Sequence, residues 1–189
     1  IKQIAKAMRA VREEQDQVYF DTFSGNAEQI LEKIDNGVID FGVIVEPINK
    51  VNYDSISLNE DDTWGVLTTK TSELGHLEQI SAKDLIAKPL IISRQHGVQR
   101  MIANMLDLDD TDLSIIGKYN LLYNASLMVK EGVGHAICLE GIINTSETNL
   151  KFIPFEEQIT SSLSLIWKKE KSLSTPAQLL LNKVKENLR

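Results

Sequence analysis

Apolar residues recur along this chain in two rhythms, one helical and one strand-like. In residues 1–14, Ile1, Ile4, Met8 and Val11 share one helical face while Lys2, Lys6, Arg9 and Arg12 cover another. Residues 18–23 predict a strand. Gly25 and Asn26 predict a turn into a helix over 27–36, whose Ile30, Leu31 and Ile34 face one way. The apolar run at 38–45 predicts a buried strand, ended at Glu46-Pro47. Residues 54–58 and 63–68 are β-like. Ser81 and Asp84 have the spacing of a capping box that opens a short helix. Strands predicted at 89–93, 113–118 and 136–139 are interleaved with helices at 99–106 and 125–131. Residues 151–155 and 163–168 alternate as strands, and Thr175 as N-cap with Pro176 at the first helical position predicts a C-terminal helix.

Two of these stretches share one grammar. Ile30, Leu31 and Ile34 are followed by Gly37 and an apolar strand; Leu127, Met128 and Val129 are followed by Gly132, Gly134 and a second apolar strand. A glycine just past a helix supplies the left-handed residue that ends it. A continuous apolar strand suits a parallel sheet covered on both faces. Two widely separated helix–glycine–strand units predict an α/β fold with two similar lobes.

The same two stretches carry a family resemblance. GNAEQILEKIDNGVIDFGVIV resembles the first lobe of the effector-binding domain of LysR-type transcriptional regulators, where a Gly precedes a helix ending in G-x-[IL]-D; Gly25 and Gly37-Val38-Ile39-Asp40 hold those positions. LMVKEGVGHAICLE is similar to that family's second-lobe helix, with Val129, Gly132 and Gly134 as its V-x-x-G-x-G. The resemblance covers the whole chain. It implies two Rossmann-like lobes joined by crossover strands, a type 2 periplasmic-binding-protein-like fold, with lobe I at 1–68 and 143–189 and lobe II at 69–142. It also implies a winged-helix DNA-binding domain and the family's first strand N-terminal to Ile1. A homodimer or tetramer follows from it too, with helix 1–14 and strand 18–23 of one chain against helix 99–106 and strand 113–118 of another. Met8 and Val11, or Met101, Ile102 and Met105, would then serve core and interface together.

Composition narrows the function classes. No apolar run approaches the roughly 20 residues that span a bilayer, so no membrane partner is expected. Cys138 is the one cysteine, which rules out an internal disulfide and fits a cytoplasmic setting. The net charge of −7 repels a nucleic-acid backbone, whose binding needs clustered Lys and Arg.

Candidate chemistry lies in loops that leave a strand and enter a helix, where backbone N–H groups are free and the helix dipole is positive. The family layout places a small, anionic effector at such loops, in a cleft between lobes. Ser93, Arg94, Gln95 and His96 form one loop, suited to a carboxylate or phosphate with Arg94 as a fork. Ser24, Gly25 and Asn26 form its counterpart; Gly25 permits close backbone approach and Ser24 can donate, unless the turn serves only as an N-cap. Tyr119, Asn120 and Tyr123 form the third. Asn120 matches a position that contacts effector in the family, while both tyrosines can equally be packing residues.

Other candidates fail on spacing. His76, His96 and His135 share no metal-ligand pattern, and His135 and Cys138 suit structural roles in an apolar strand. Gly132-Val133-Gly134 follows a helix and precedes a strand, the reverse of a dinucleotide loop. The Asp107, Asp109, Asp110, Asp112 run has Thr111 at the fifth position of a calcium loop and Asp112 where that loop needs Gly, so it predicts a solvated acidic turn. No carboxylate pair, triad or metal cluster is placed for chemistry, so no enzyme and no cofactor are expected. The sequence therefore points to an effector-sensing domain of a LysR-type regulator; a transport solute-binding protein of the same architecture is the alternative.

Overall fold

The computed structural model describes residues 2–95, 97–109 and 111–188. In chain order the elements are α1 (Lys2–Glu14), α2 (Ala27–Asp35), β1 (Gly42–Val45), β2 (Tyr53–Thr69), a 3-10 turn (Leu74–His76), α3 (Ala82–Leu85), β3 (Leu90–Ser93), α4 (Val98–Met105), β4 (Ile115–Tyr119), α5 (Leu122–Lys130), β5 (His135–Leu139), β6 (Leu150–Pro154), β7 (Thr160–Lys168) and α6 (Thr175–Asn187). The chain forms two compact units, Ile1–Asp61 with Ser162–Arg189, and Asp62–Ser161. The long strands β2 and β7 run through both. Traced strand to strand, the order is β1-β7-β2-β5-β3-β4, with β6 also on β2.

In the first unit, β1 and β7 pair antiparallel, Ile44 opposite Ser164. Strand alternation divides β7 between two cores. Leu163 and Leu165 join Ala7, Leu58, Leu181 and Val184, the side covered by α1 and α6. Ile166 joins Ile30, Ile34, Ile44 and Tyr53 on the side of α2. Of the predicted α1 stripe, Val11 is buried and Ile4 and Met8 are half-buried, while Ile1 lies outside the described residues; Ala7, not part of the predicted stripe, is buried beside them. In the second unit, β3 lies parallel to both β4 and β5. Leu67, Ile91, Leu122, Ala125, Val129, Ala136, Cys138 and Leu150 form its core.

Both helix–glycine–strand stretches end in the same backbone device. After α2, Gly37 N–H donates to Ile34 O and Val38 N–H to Lys33 O; after α5, Gly132 donates to Val129 O and Val133 to Met128 O. Gly37 (φ 71°) and Gly132 (φ 76°) are left-handed, which completes a Schellman motif in each case. Asp107 (φ 52°) ends α4 in the same way, with Leu108 N–H on Ala103 O. The predicted acidic turn is thus partly a helix terminator; its Asp112 carboxylate accepts from Asp109 N–H at 2.9 Å, and Asp110 lies outside the described residues.

Several expectations need correction. Residues 18–23 form no strand: Val18 N–H bonds back to Gln15 O, and Tyr19 is 87% exposed. β-prone side chains make a strand only when a neighbour supplies a ladder. The strand predicted over 38–45 begins at Gly42, because Gly37 and Val38 belong to the end of α2. The two segments 54–58 and 63–68 are one strand, β2. The cap of α6 is Ser174, whose Oγ accepts from Ala177 N–H at 3.4 Å, which moves Pro176 one position inward from the predicted first helical position. The Ser81–Asp84 box is present, with Asp84 Oδ2 accepting from both Ser81 N–H and Ser81 Oγ.

One polar chain runs into the second core. Thr68 is fully buried, and its Oγ1 lies 2.7 Å from both Ser72 Oγ and His135 Nδ1. Ser72 Oγ donates to Thr69 O and accepts from Gly75 N–H. With the Ser72 proton committed, Thr68 must donate to Ser72, so His135 Nδ1–H donates to Thr68. Burial lowers the His135 pKa, and nearby Lys88 adds to this against a smaller opposing effect of Glu73.

Three outcomes follow for stability. Nothing lies within 4 Å of a Cβ built on Gly132, so Gly132→Ala should cost about 1–2 kcal/mol in urea unfolding from backbone conformation alone. At Gly65 a Cβ would meet Ile153 O at 2.3 Å, so Gly65→Ala should cost more. Equal stability of Gly132→Ala and the parent would refute the terminator role. For His135, the folded pKa lies below the unfolded value of about 6.5. Its contribution is therefore complete above that pH and declines as the pH falls below it; His135→Gln should flatten this part of the pH–stability curve.

Candidate functional site

The geometry of the second unit brings two of the predicted loops together. Because β3 and β4 are adjacent and parallel, with Ser93 opposite Tyr119, the loops after them leave the same edge of the sheet. Arg94 N–H donates to Tyr119 O at 2.7 Å and ties one loop to the other. Each loop leads directly into a helix, α4 or α5, and neither helix has a side-chain N-cap hydrogen bond. Backbone N–H groups at such helix starts, with the positive ends of two dipoles, favour negative charge.

The individual side chains differ in what they have left to offer. Ser93 Oγ accepts from Gln95 N–H at 3.2 Å, an arrangement that leaves its own proton for a further acceptor. Arg94 is exposed and Gln95 half-buried. His96 lies outside the described residues. Asn120 is exposed, and its Oδ1 accepts from Leu121 N–H at 3.0 Å, which leaves its amide donors uncommitted by that bond. Tyr119 turns inward, where its hydroxyl donates to Ile137 O at 2.9 Å; burial, then Cys138, raises its pKa strongly. Tyr123 is the outward one, 65% exposed on the first turn of α5.

In the first unit the Ser24–Asn26 turn is organised differently. Asn26 Oδ1 accepts from Gln29 N–H, and Gln29 Oε1 accepts from Asn26 N–H, a full capping box. A Cβ on Gly25 would lie 2.8 Å from Gln29 Oε1 and 2.8 Å from Phe23 Cε1, so the glycine makes room for the cap. Lys33 Nζ sits 4.5 Å from the Phe23 ring centroid and fastens the turn to α2. Ser24 is exposed. Asn26 and Gly25 are thus used in starting α2.

Sequence reasoning passed over Glu46, read only as the end of a strand. Its carboxylate is ion-paired with Lys50, accepts from Ser164 Oγ at 2.6 Å and accepts from Ile48 N–H at 3.1 Å. Burial pushes the Glu46 pKa up, but the hydrogen bonds from Lys50, Ser164 and Ile48 outweigh it and leave the carboxyl below its usual range. An acidic residue directly after an apolar strand and four before a lysine was the available signal. Cys138 is a buried core residue whose thiol pKa is pushed up to about 12 by burial, and it is unreactive on that account. Among the described residues no group of His, Cys, Asp and Glu is arranged for a metal ion, and no helix is long and apolar enough to cross a membrane.

Residues 2–189 match the LysR substrate binding domain family. No curated protein matches the sequence closely enough to count as a relative. Among solved structures, the chain is similar to the Synechocystis PCC6803 CcmR regulatory domain in complex with 2-PG, with a TM-score of 0.81 and 15% identity, over 98% of this chain and 91% of that one. It is similar to the effector binding domain of QuiR in complex with shikimate, with a TM-score of 0.81 and 14% identity, over 96% of this chain and 88% of that one. It is also similar to HinK, a LysR family transcriptional regulator from Pseudomonas aeruginosa, with a TM-score of 0.77 and 18% identity; 96% of this chain covers 64% of that one, less than two thirds of its length. With its full described length matched to one domain family and its fold shared by regulator domains, this chain belongs to the LysR substrate binding domain family.

Proposed function

We propose that this chain is the effector-sensing part of a cytoplasmic LysR-type transcriptional regulator and that it binds a small anionic molecule. The observation that carries the reading is the pair of adjacent parallel strands β3 and β4, each running into a helix without a side-chain cap. Ser93, Arg94, Gln95 and Asn120 lie beside those helix starts, and Tyr123 stands on the first turn of α5; His96 belongs to the same loop in sequence. From the first unit, Ser24 alone of the predicted turn keeps a side chain free of capping. Two structural relatives are complexes with a small molecule, 2-PG and shikimate, which supports a small-molecule effector here. The family match favours a regulator over a transport solute-binding protein, and no enzymatic role is proposed. With a net charge of −7, this chain leaves DNA recognition to a separate winged-helix domain.

A thermal-shift screen against small carboxylates and phosphates tests the reading. A ligand at about 100 times its dissociation constant should add roughly 2.7 kcal/mol. For a hit, Ser93→Ala should weaken binding by about 0.5–1.5 kcal/mol, or up to about 3 if the hydroxyl meets a charged oxygen. Unchanged calorimetric affinity in the Ser93→Ala, Asn120→Ala double variant would remove these loops from the site.

We also propose a homodimer in which the α1 region of one chain meets the α4–β4 region of its partner. Met105 on α4 is 46% exposed and Ile116 on β4 is likewise exposed, while Ile102 and Val11 are fully buried in their own units. Met8, Met101 and Met105 therefore take the interface role, and Val11 and Ile102 serve the core alone. Such an interface should bury more than about 1,000 Å². Light scattering should give the dimer mass at tens of micromolar, and Met105→Lys should shift it toward monomer; a monomeric parent chain would overturn the assignment.

A further inference from the structure

The most tightly interlocked polar group in the first unit stands at the C-terminal end of β1. Glu46 N–H donates to Ser162 O at 2.9 Å, so Glu46 extends the β1–β7 ladder by one residue. Ile44 and Glu46 are two residues apart and share a face, the α2 side of the sheet. Ser164 is opposite Ile44 and shares that side with Ile166. It is 2% exposed, and its hydroxyl donates to Glu46 Oε1 at 2.6 Å. The other carboxylate oxygen accepts from Ile48 N–H at 3.1 Å. Carboxylate and hydroxyl are therefore fixed by strand backbone and by one another.

The third member is held in another way. Lys50 reaches back from the irregular loop between β1 and β2; its ammonium pairs with Glu46 Oε1 and donates to Ser164 Oγ at 3.3 Å. Its side chain is 37% exposed. The loop is tied down independently of that ammonium, by Val51 N–H on Asn49 Oδ1, Tyr53 N–H on Lys50 O and Lys169 Nζ on Val51 O. If the one flexible arm swings out, the acceptor pair stays in place, negatively charged and preorganised.

We propose that Glu46 and Ser164 form a recognition site for a primary ammonium group on an incoming molecule, and that Lys50 is a tethered occupant which that group displaces. The effector role of such a molecule rests on the function proposed above; the cradle does not, since it lies wholly within the first unit. Lys50 then lowers apparent affinity by the fraction of time it fills the site, so that only a ligand with further contacts competes well.

The test uses the whole 189-residue chain and n-butylammonium chloride, the head and stem of a lysine side chain, at constant ionic strength, with sodium butyrate as the control salt. In Lys50→Met, backbone amide NMR should show saturable shifts at Glu46, Ile48 and Ser164 with n-butylammonium and none with butyrate. The parent chain should bind at least roughly tenfold more weakly, because its own lysine competes. Glu46→Gln in the Lys50→Met background should abolish the shifts. If Lys50→Met is unfolded by circular dichroism, Lys50→Gln carries the same comparison. Equal binding by parent and variant, persistence in the Glu46→Gln background, or no saturable shift in a folded Lys50 variant each overturns the proposal. Failure of the Ser93 and Asn120 loops to bind carboxylates leaves this result untouched, so the two readings fall separately.

Discussion

The left-handed residue that ends each long internal helix is the constraint on which the rest of this chain depends. Gly37 after α2, Asp107 after α4 and Gly132 after α5 all adopt it. In each, the last carbonyls of the helix are satisfied by the two residues that follow, and the chain turns sharply toward the next strand. That turn decides where the strand can begin. After α2 the strand opens at Gly42, where a Cβ would collide with Ile30 Cγ2 at 2.5 Å. Helix and strand therefore approach closely only because one glycine reverses the chain and a second removes a side chain from the contact.

This dependence explains what could be read from the residues alone. The helix–glycine–strand grammar was legible because Gly37 and Gly132 act through local backbone conformation, which neighbouring sequence determines. The α1 stripe and the Ser81–Asp84 box were legible for the same reason. Residues 18–23 misled because a strand is a relation between two segments, and Val, Tyr, Phe and Thr report only a capacity for it. The cap at Ser174 was displaced by one position because Ser174 and Thr175 are chemically equivalent caps and only the Ala177 N–H distinguishes them. The loops after β3 and β4 could be placed from strand-to-helix order, but the inward direction of Tyr119 could not, since its partner Ile137 O lies on a strand remote in sequence. Glu46 was missed because the residues that complete its cradle include Ser164, brought beside it by the β1–β7 register.

The two helix-opening regions have contrasting chemistry. In the second unit the starts of α4 and α5 lack side-chain caps and Arg94 lies just before α4, an arrangement that favours negative charge. In the first unit, Asn26 and Gln29 complete the start of α2, and the charged group at the end of the neighbouring strand is an ionised carboxylate. A repeated backbone plan thus carries unlike electrostatics in its two copies. The fold repeats the backbone plan; the side chains and capping at each copy give it a different charge.

The inward hydroxyl of Tyr119 has a consequence for how the β4 edge behaves in time. Its bond to Ile137 O spans from β4 across to β5, with β3 between them in the sheet. The segment that enters the Asn120 loop is thereby fastened at its first residue to the most interior strands of its unit, and the loop from Ser93 is fastened to it through Arg94 N–H. These two bonds fix where each loop leaves its strand before any partner is present. Backbone positions anchored in this way need no further ordering at Arg94 and Tyr119, so the conformational entropy of those two residues is already spent in folding.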